Sequence, residues 1–144
     1  MSLPFAFWDT SALIPLCVRQ KQTNQANLLY ASYGIAVWWA TPVEIVSGLT
    51  RLERMNEIGH DRFLASMQRA KDLADIWDSI APSKAIAVQA CSLLEIYPLR
   101  AADALQLAAA MEYFENSQRG CVFITADQRL ADAGRGSGFS VESV

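Results

Sequence analysis

The chain has 144 residues, 52% of them hydrophobic and 19% charged, with a formal net charge of −3. Such a length and apolar content fit one domain, residues 1–144, with a large buried core. The weak negative charge excludes a basic field over the whole molecule, so any nucleic-acid contact must come from a local patch. Three scattered cysteines, Cys17, Cys91 and Cys121, sit in apolar stretches; they predict reduced, buried thiols in a cytoplasmic protein rather than a disulfide framework. No apolar run is long enough to span a membrane, and the first residues carry no signal-peptide pattern.

Phe5 to Trp8 is four apolar residues, three of them aromatic, followed directly by Asp9-Thr10-Ser11 and a helical segment, Ala12 to Val18. The apolar run predicts a strand buried on both faces, as in a parallel sheet covered by helices. Pro15 is tolerated in the helix's opening turns. Ligands in open α/β sheets bind outside the carboxyl ends of the strands. Asp9 therefore has two readings: a cap for the helix, or a site residue beside the helix's positive pole. A second helix ends near Gly34, because Gly suits the position after a helix. Ile35 to Ala40 is the second strand.

Thr41-Pro42-Val43-Glu44 reads as a helix start, with Thr41 as cap, Pro42 in the first turn and Glu44 closing a capping box. Glu44 also lies just beyond a strand's carboxyl end, as Asp9 does, so a role in a site competes with capping. Gly48 and Arg51 follow on the same helical face. Gly48 leaves room there for a ligand backbone.

Gly59 to Trp77 is an amphipathic helix with Phe63, Met67, Ala70, Ala74 and Trp77 on one stripe. The only histidine, His60, falls in a predicted turn, which argues against histidine catalysis and a His-rich zinc site. A short third strand runs over Asp78 to Ala81, and Pro82 opens a helix to about Ile96. From Ala101 to Met111 every residue is Ala, Leu or Met except Asp103 and Gln106. A helix apolar all round is buried, so Asp103 must be paired, neutralised or bound to a cation. Arg100 is one available partner. Cys121 to Thr125 is a buried strand leading to Ala126-Asp127 and a short helix through Leu130 to about Ala133. This repeats the first motif: apolar run, hydroxyl residue, carboxylate, helix. Gly134, Gly136 and Gly138 predict a loose turn, and Phe139 to Glu142 an edge strand.

Asp9, Glu44 and Asp127 each follow a strand, and Asp103 opens a buried helix. In one parallel sheet these acids crowd together, and like charges so close require raised pKa values or a cation. All-oxygen ligands select a hard ion, Mg²⁺ or Mn²⁺.

Asp-Thr-Ser-Ala-Leu at Asp9 to Leu13, Glu-Ile-Val-Ser-Gly-Leu at Glu44 to Leu49, Arg-Ala-Ala-Asp-Ala-Leu at Arg100 to Leu105 and Ile-Thr-Ala-Asp at Ile124 to Asp127 together resemble the PIN-domain ribonucleases. Within that family the chain looks most like the VapC toxins of bacterial toxin–antitoxin pairs. The motifs occur in the family's order and span nearly the whole chain. The resemblance implies an α/β/α sandwich with a mainly parallel sheet of four or five strands. It also implies a Mg²⁺ or Mn²⁺ site at Asp9, Glu44, Asp103 and Asp127, supported by Ser11 and Thr125. The fourth acid varies most in the family, so Asp127 carries least weight as a direct ligand. The implied reaction is hydrolysis of RNA by activated water, leaving 5′-phosphate and 3′-hydroxyl ends. Arg100 and Arg51 are the candidate contacts to the phosphate backbone. The implied partners are a second copy, forming a homodimer, and a cognate antitoxin in a groove between helices. Trp38, Trp39 and the Phe63 to Trp77 stripe supply the apolar surface for such partners. Two other functions compete: a PIN-like binding module without catalysis, and a Mg²⁺-dependent phosphatase. The phosphatase motif needs a second Asp two positions after the first, where this chain has Ser11.

Overall fold

The computed structural model describes residues 2–144. Strand β1 (Phe5–Trp8) is followed by helices α1 (Thr10–Cys17) and α2 (Thr23–Ser32), then strand β2 (Gly34–Trp38). Helices α3 (Thr41–Arg54) and α4 (His60–Ala74) lead to strand β3 (Asp78–Ile80). Helices α5 (Lys84–Ile96) and α6 (Ala101–Tyr113) precede strand β4 (Val122–Thr125), helix α7 (Gln128–Gly136) and strand β5 (Ser140–Ser143). All five strands are parallel, in the order β3-β2-β1-β4-β5.

β1 lies at the centre, pairing Phe5 with Gly34 on one side and Phe7 with Phe123 on the other. Successive residues of a strand face opposite sides of the sheet, and the core divides accordingly. Ala6, Trp8, Ile35, Val37 and Ile124 pack with Leu13 of α1, Leu29 of α2, Ile45 and Leu49 of α3, and Leu73 of α4. Phe7, Ala36, Trp38 and Phe123 pack with Ile86 and Leu93 of α5, Ala104 and Leu107 of α6, and Leu130 of α7. The result is the expected α/β/α sandwich. Burying each large side chain such as Trp8, Phe7 or Phe123 contributes roughly 1.5–3 kcal/mol.

Several local expectations need correction. The second helix ends just before Gly34 as expected, but the glycine serves another purpose: it opens β2, where the Phe5 ring would lie 3.2 Å from an added Cβ. Tyr33 terminates α2 in extended conformation. Gly134 and Gly136 belong to α7, and only Gly138 is in the turn, at φ +102°. A side chain at Gly136 would collide with the Tyr97 hydroxyl, so this turn of α7 takes glycine. His60 is the first residue of α4 rather than a turn residue, with Nδ1 2.7 Å from Glu53 Oε2. Cys17 is buried, but Cys121 is only partly covered and Cys91 is exposed on α5. α5 packs on α6 through Ile86, Ala90 and Leu93, which turns position 91 outward. Trp38 is core, while Trp39 is 58% exposed.

Candidate active site

Because the sheet is parallel, the carboxyl ends of β1, β2 and β4 share one edge, and the chain turns into a helix at each of them. A cleft of about 570 Å³ opens there, lined by Asp9, Thr10 and Ser11, by Val43, Glu44, Ser47, Gly48 and Arg51 of α3, by Ala102 and Asp103 of α6, and by Asp127. All four acids expected from the sequence reach this one cleft. Ser11 and Arg51 line it too. Arg100 lies in an adjoining pocket of about 580 Å³, with Arg129 opposite and Ala102, Asp103 and Asp127 shared between the two.

Asp9 is 5% exposed and makes no side-chain cap to α1. Its Oδ2 accepts hydrogen bonds from Ser11 Oγ and, at 2.9 Å, from Thr125 Oγ1. The Ser11 hydroxyl in turn accepts from the Ala126 N–H at 2.9 Å, and Thr125 Oγ1 accepts from the Asp127 N–H at 3.0 Å. These bonds tie the end of β1 to the end of β4. Burial raises the Asp9 pKa to about 6; the Ser11 and Thr125 hydrogen bonds oppose the rise, and the charges of Glu44 and Asp103 add to it.

Glu44 does not form a capping box. Its own N–H bonds to the Ala40 carbonyl within the first helical turn, and Thr41 makes no side-chain cap. The fully buried Thr41 hydroxyl has no partner. The Glu44 carboxylate instead turns to the interior, accepting at Oε1 from Thr10 Oγ1 at 2.9 Å and from Gln106 Nε2 at 2.6 Å. Burial raises its pKa, those two hydrogen bonds oppose the rise, and the Asp103 charge adds to it. Gly48 lines the cleft as expected, and its small size also admits Ile14 of α1, whose Cδ1 would lie 2.9 Å from an added Cβ.

Asp103 is half-buried near the start of α6. Burial and then the Asp127 charge raise its pKa, against the backbone of Arg100 and the guanidinium charges of Arg100 and Arg129. The expected Arg100–Asp103 ion pair is not formed. Among the described residues the ion pairs are Glu53–His60 and Asp132–Arg135, and neither touches the cleft. Asp127 caps α7, its Oδ1 accepting from the Leu130 N–H at 2.9 Å.

The donor set can be tested against the hard ion that such acids predict. Every candidate ligand is oxygen, and among the described residues none of the four carboxylates has a cationic side chain within ion-pair distance. Among the described residues no three His, Cys, Asp or Glu side chains stand close enough to enclose an ion by themselves. Mg²⁺ suits that arrangement, because it keeps several waters and takes one or two carboxylates together with substrate phosphates. The residues fit.

Three members of the site escape the sequence reading: Thr10, Gln106 and Arg129. Thr10 is masked by the acid beside it. Gln106 announces itself only as a polar residue in an apolar helix, and Arg129 only through the fold that brings it opposite Arg100.

The profile of the PIN domain family matches residues 6–136. The fold is similar to a structure described as a toxin–antitoxin complex from Klebsiella pneumoniae, at 22% identity and a TM-score of 0.62, covering 96% of this chain and 99% of that one. It is also similar to the crystal structure of PAE2754 from Pyrobaculum aerophilum, at 18% identity and a TM-score of 0.62, covering 96% of this chain and 89% of that one. Comparison with curated protein sequences found no match.

Proposed function

The chain belongs to the PIN-domain family, and from that premise we propose that it is a metal-dependent endoribonuclease and the toxin of a toxin–antitoxin pair. The observation that carries the catalytic part is the cleft itself. Four carboxylates line it, three of them with raised pKa values, and among the described residues no ion pair neutralises them. Asp9, Glu44, Asp103 and Asp127 are the acids that would hold Mg²⁺ or Mn²⁺, one or two of them directly and the others through its waters. When bound, the ion supplies a Lewis acid for a phosphate oxygen and lowers the pKa of a coordinated water.

The chain's own residues prepare that chemistry. Ser11 and Thr125 both donate to Oδ2 of Asp9, which fixes the carboxylate and leaves Oδ1 free of protein donors among the described residues. The same hydroxyls favour the ionised form that a metal needs. Arg51 on one wall, and Arg100 with Arg129 in the adjoining pocket, offer planar guanidinium donors to backbone phosphates. They form the local basic patch that a chain of net charge −3 requires. No histidine lines the cleft, so water rather than an imidazole-activated 2′-hydroxyl is the nucleophile.

Partner recognition rests on separate features. An apolar groove of about 200 Å³ runs between α3 and α4, lined by Pro42, Ile45, Val46, Met67, Ala70, Lys71, Ala74 and Trp77. It contains most of the stripe read from the sequence and suits an amphipathic antitoxin segment. The likeness to a structure described as a toxin–antitoxin complex supports the same reading. The exposed apolar residues Val88, Leu94 and Ile96 of α5 offer a face for a second copy in a homodimer.

Sequencing of RNA ends after brief expression, wild type beside Asp9→Asn, tests the proposal. New 5′-phosphate ends dependent on Asp9 are expected in vivo, together with Mn²⁺-dependent, chelator-sensitive cleavage of RNA in vitro. Identical RNA ends in the two strains would defeat the nuclease, and undisturbed growth on overexpression of an active enzyme would defeat the toxin.

A further inference from the structure

We propose that Gln106 is the positioning residue of the cleft: its side-chain amide holds Glu44 by one carboxylate oxygen and so directs the other toward the metal. The inference rests on the metal-dependent reading above and adds a role for a residue outside the acid motif.

Gln106 is 1% exposed, in a stretch of α6 where its neighbours are Ala and Leu. Such a position favours an apolar side chain, so the amide requires a reason. Its Nε2 donates to Glu44 Oε1 at 2.6 Å and to Thr10 Oγ1 at 3.1 Å. Thr10 Oγ1 donates its own hydrogen bond to the same Glu44 Oε1 at 2.9 Å. The three groups close a triangle in which both donors converge on one oxygen of Glu44. Oε2 receives no protein donor among the described residues, and Glu44 lines the cleft.

The orientation of the amide is fixed by this triangle. Turned over, Gln106 Oε1 would face Glu44 Oε1 and a threonine oxygen whose proton is already committed, setting acceptors against one another. In the orientation present, Nε2 serves Glu44 and Thr10, and Gln106 Oε1 receives no protein donor among the described residues. The amide is oriented for Glu44. Residues that hold a metal ligand from behind typically change metal affinity when removed, while leaving the fold intact.

The test is Mn²⁺ calorimetry on Gln106→Met, which keeps length and removes both N–H donors, with metal-free Tm recorded alongside. Mn²⁺ affinity is expected to fall roughly 10–100-fold, with metal-free Tm unchanged or higher. In a Glu44→Gln background the same substitution is expected to cost no further affinity, because Gln106 acts through that carboxylate. Lowered Tm with unchanged affinity would make Gln106 a packing residue and overturn the proposal, as would an equal loss in the Glu44→Gln background or no Mn²⁺ binding by the wild type. If Gln106→Met does not fold, Gln106→Leu, which also lacks the amide, supplies the affinity comparison, with the same fall expected. RNA cleavage is scored separately: a wild type that binds Mn²⁺ in a Gln106-dependent way yet cuts no RNA would remove the nuclease reading and leave the positioning role standing.

Discussion

The junctions β1–α1 and β4–α7 share a sequence pattern, yet their acids do different things. Each has an apolar strand, a hydroxyl residue, an Asp and a helix. At β4–α7 the Asp127 carboxylate turns back to its own helix and caps it through the Leu130 N–H. At β1–α1 the Asp9 carboxylate ignores its helix and accepts hydrogen bonds from the hydroxyls of Ser11 and, across the sheet, Thr125. Register accounts for the difference. Trp8 pairs with Ile124, so Asp9 lies level with Thr125 at the covered end of the central strand and is 5% exposed, whereas Asp127 stands two residues beyond Thr125, at the cap position of α7. A local motif thus sets what an acid can do, and its neighbours in the sheet decide which of those things it does.

The sharpest way to break the comparison is to remove the charge at each junction in turn. Asp9→Asn is expected to reduce cleavage by roughly a thousandfold or more, the scale of losing a group that acts on the reacting atoms. Asp103→Asn should do the same and weaken the thermal stabilisation by Mn²⁺. Its metal-free Tm should hold or rise, because occupancy relieves a repulsion that the substitution also removes. RNA-cleavage assays and thermal melts with and without Mn²⁺ check both; an unfolded metal-free Asp103→Asn protein would show that Asp103 serves the fold.

A second, smaller effect appears in pH dependence. Asp9 is raised from 3.8 to about 6 in the folded chain, so the metal-free protein binds that proton more tightly than the unfolded chain does. The resulting stability is complete below about pH 4 and is lost as pH rises through about 6, by at most about 3 kcal/mol. Burial also raises Glu44 and Asp103, in the same direction. In urea unfolding with chelator, wild type and Asp9→Asn should diverge as pH passes from 4 to 7, with the variant becoming the more stable. Saturating Mn²⁺ should close that gap, since the ion favours the ionised carboxylates. Parallel curves across the range would mean Asp9 is not held protonated by its burial.

Much of this arrangement is legible in the sequence because burial on both faces leaves long apolar runs and the acids interrupt them. Phe5–Trp8 and Val122–Thr125 can be read as central strands for that reason, and Asp103 stands out against a helix of Ala and Leu. What resists reading is the choice among partners. Thr41-Pro42-Val43-Glu44 satisfies every local rule for a capping box. The box does not form because Thr10 and Gln106, distant in sequence, both donate to Glu44. Gly48 is only half legible for the same reason: it lines the cleft as read, but its small size also serves Ile14 of a neighbouring helix. Local chemistry proposes an interaction, and the long-range contact that overrides it has no counterpart in spacing.

The smallest expected effect separates the two roles of Asp127. As a cap it contributes about 1 kcal/mol, the usual cost of replacing such a residue by Ala, or a Tm difference of roughly 2–4 °C in a chain of this size. As a member of the cleft it adds charge beside Asp103, whose pKa it raises. Asp127→Ala removes both contributions. Asp127→Ser keeps a hydroxyl able to accept from the Leu130 N–H, so it should restore most of the Tm while still lacking the carboxylate. Cleavage by the two variants should therefore be equal, and reduced far less than in Asp9→Asn, because the Asp127 carboxylate is already partly committed to α7. Should Asp127→Ser recover activity along with stability, the carboxylate would be a cap and nothing more. A loss as deep as that of Asp9→Asn in a stable Asp127→Ser protein would instead make the two junctions equivalent in chemistry despite their different surroundings.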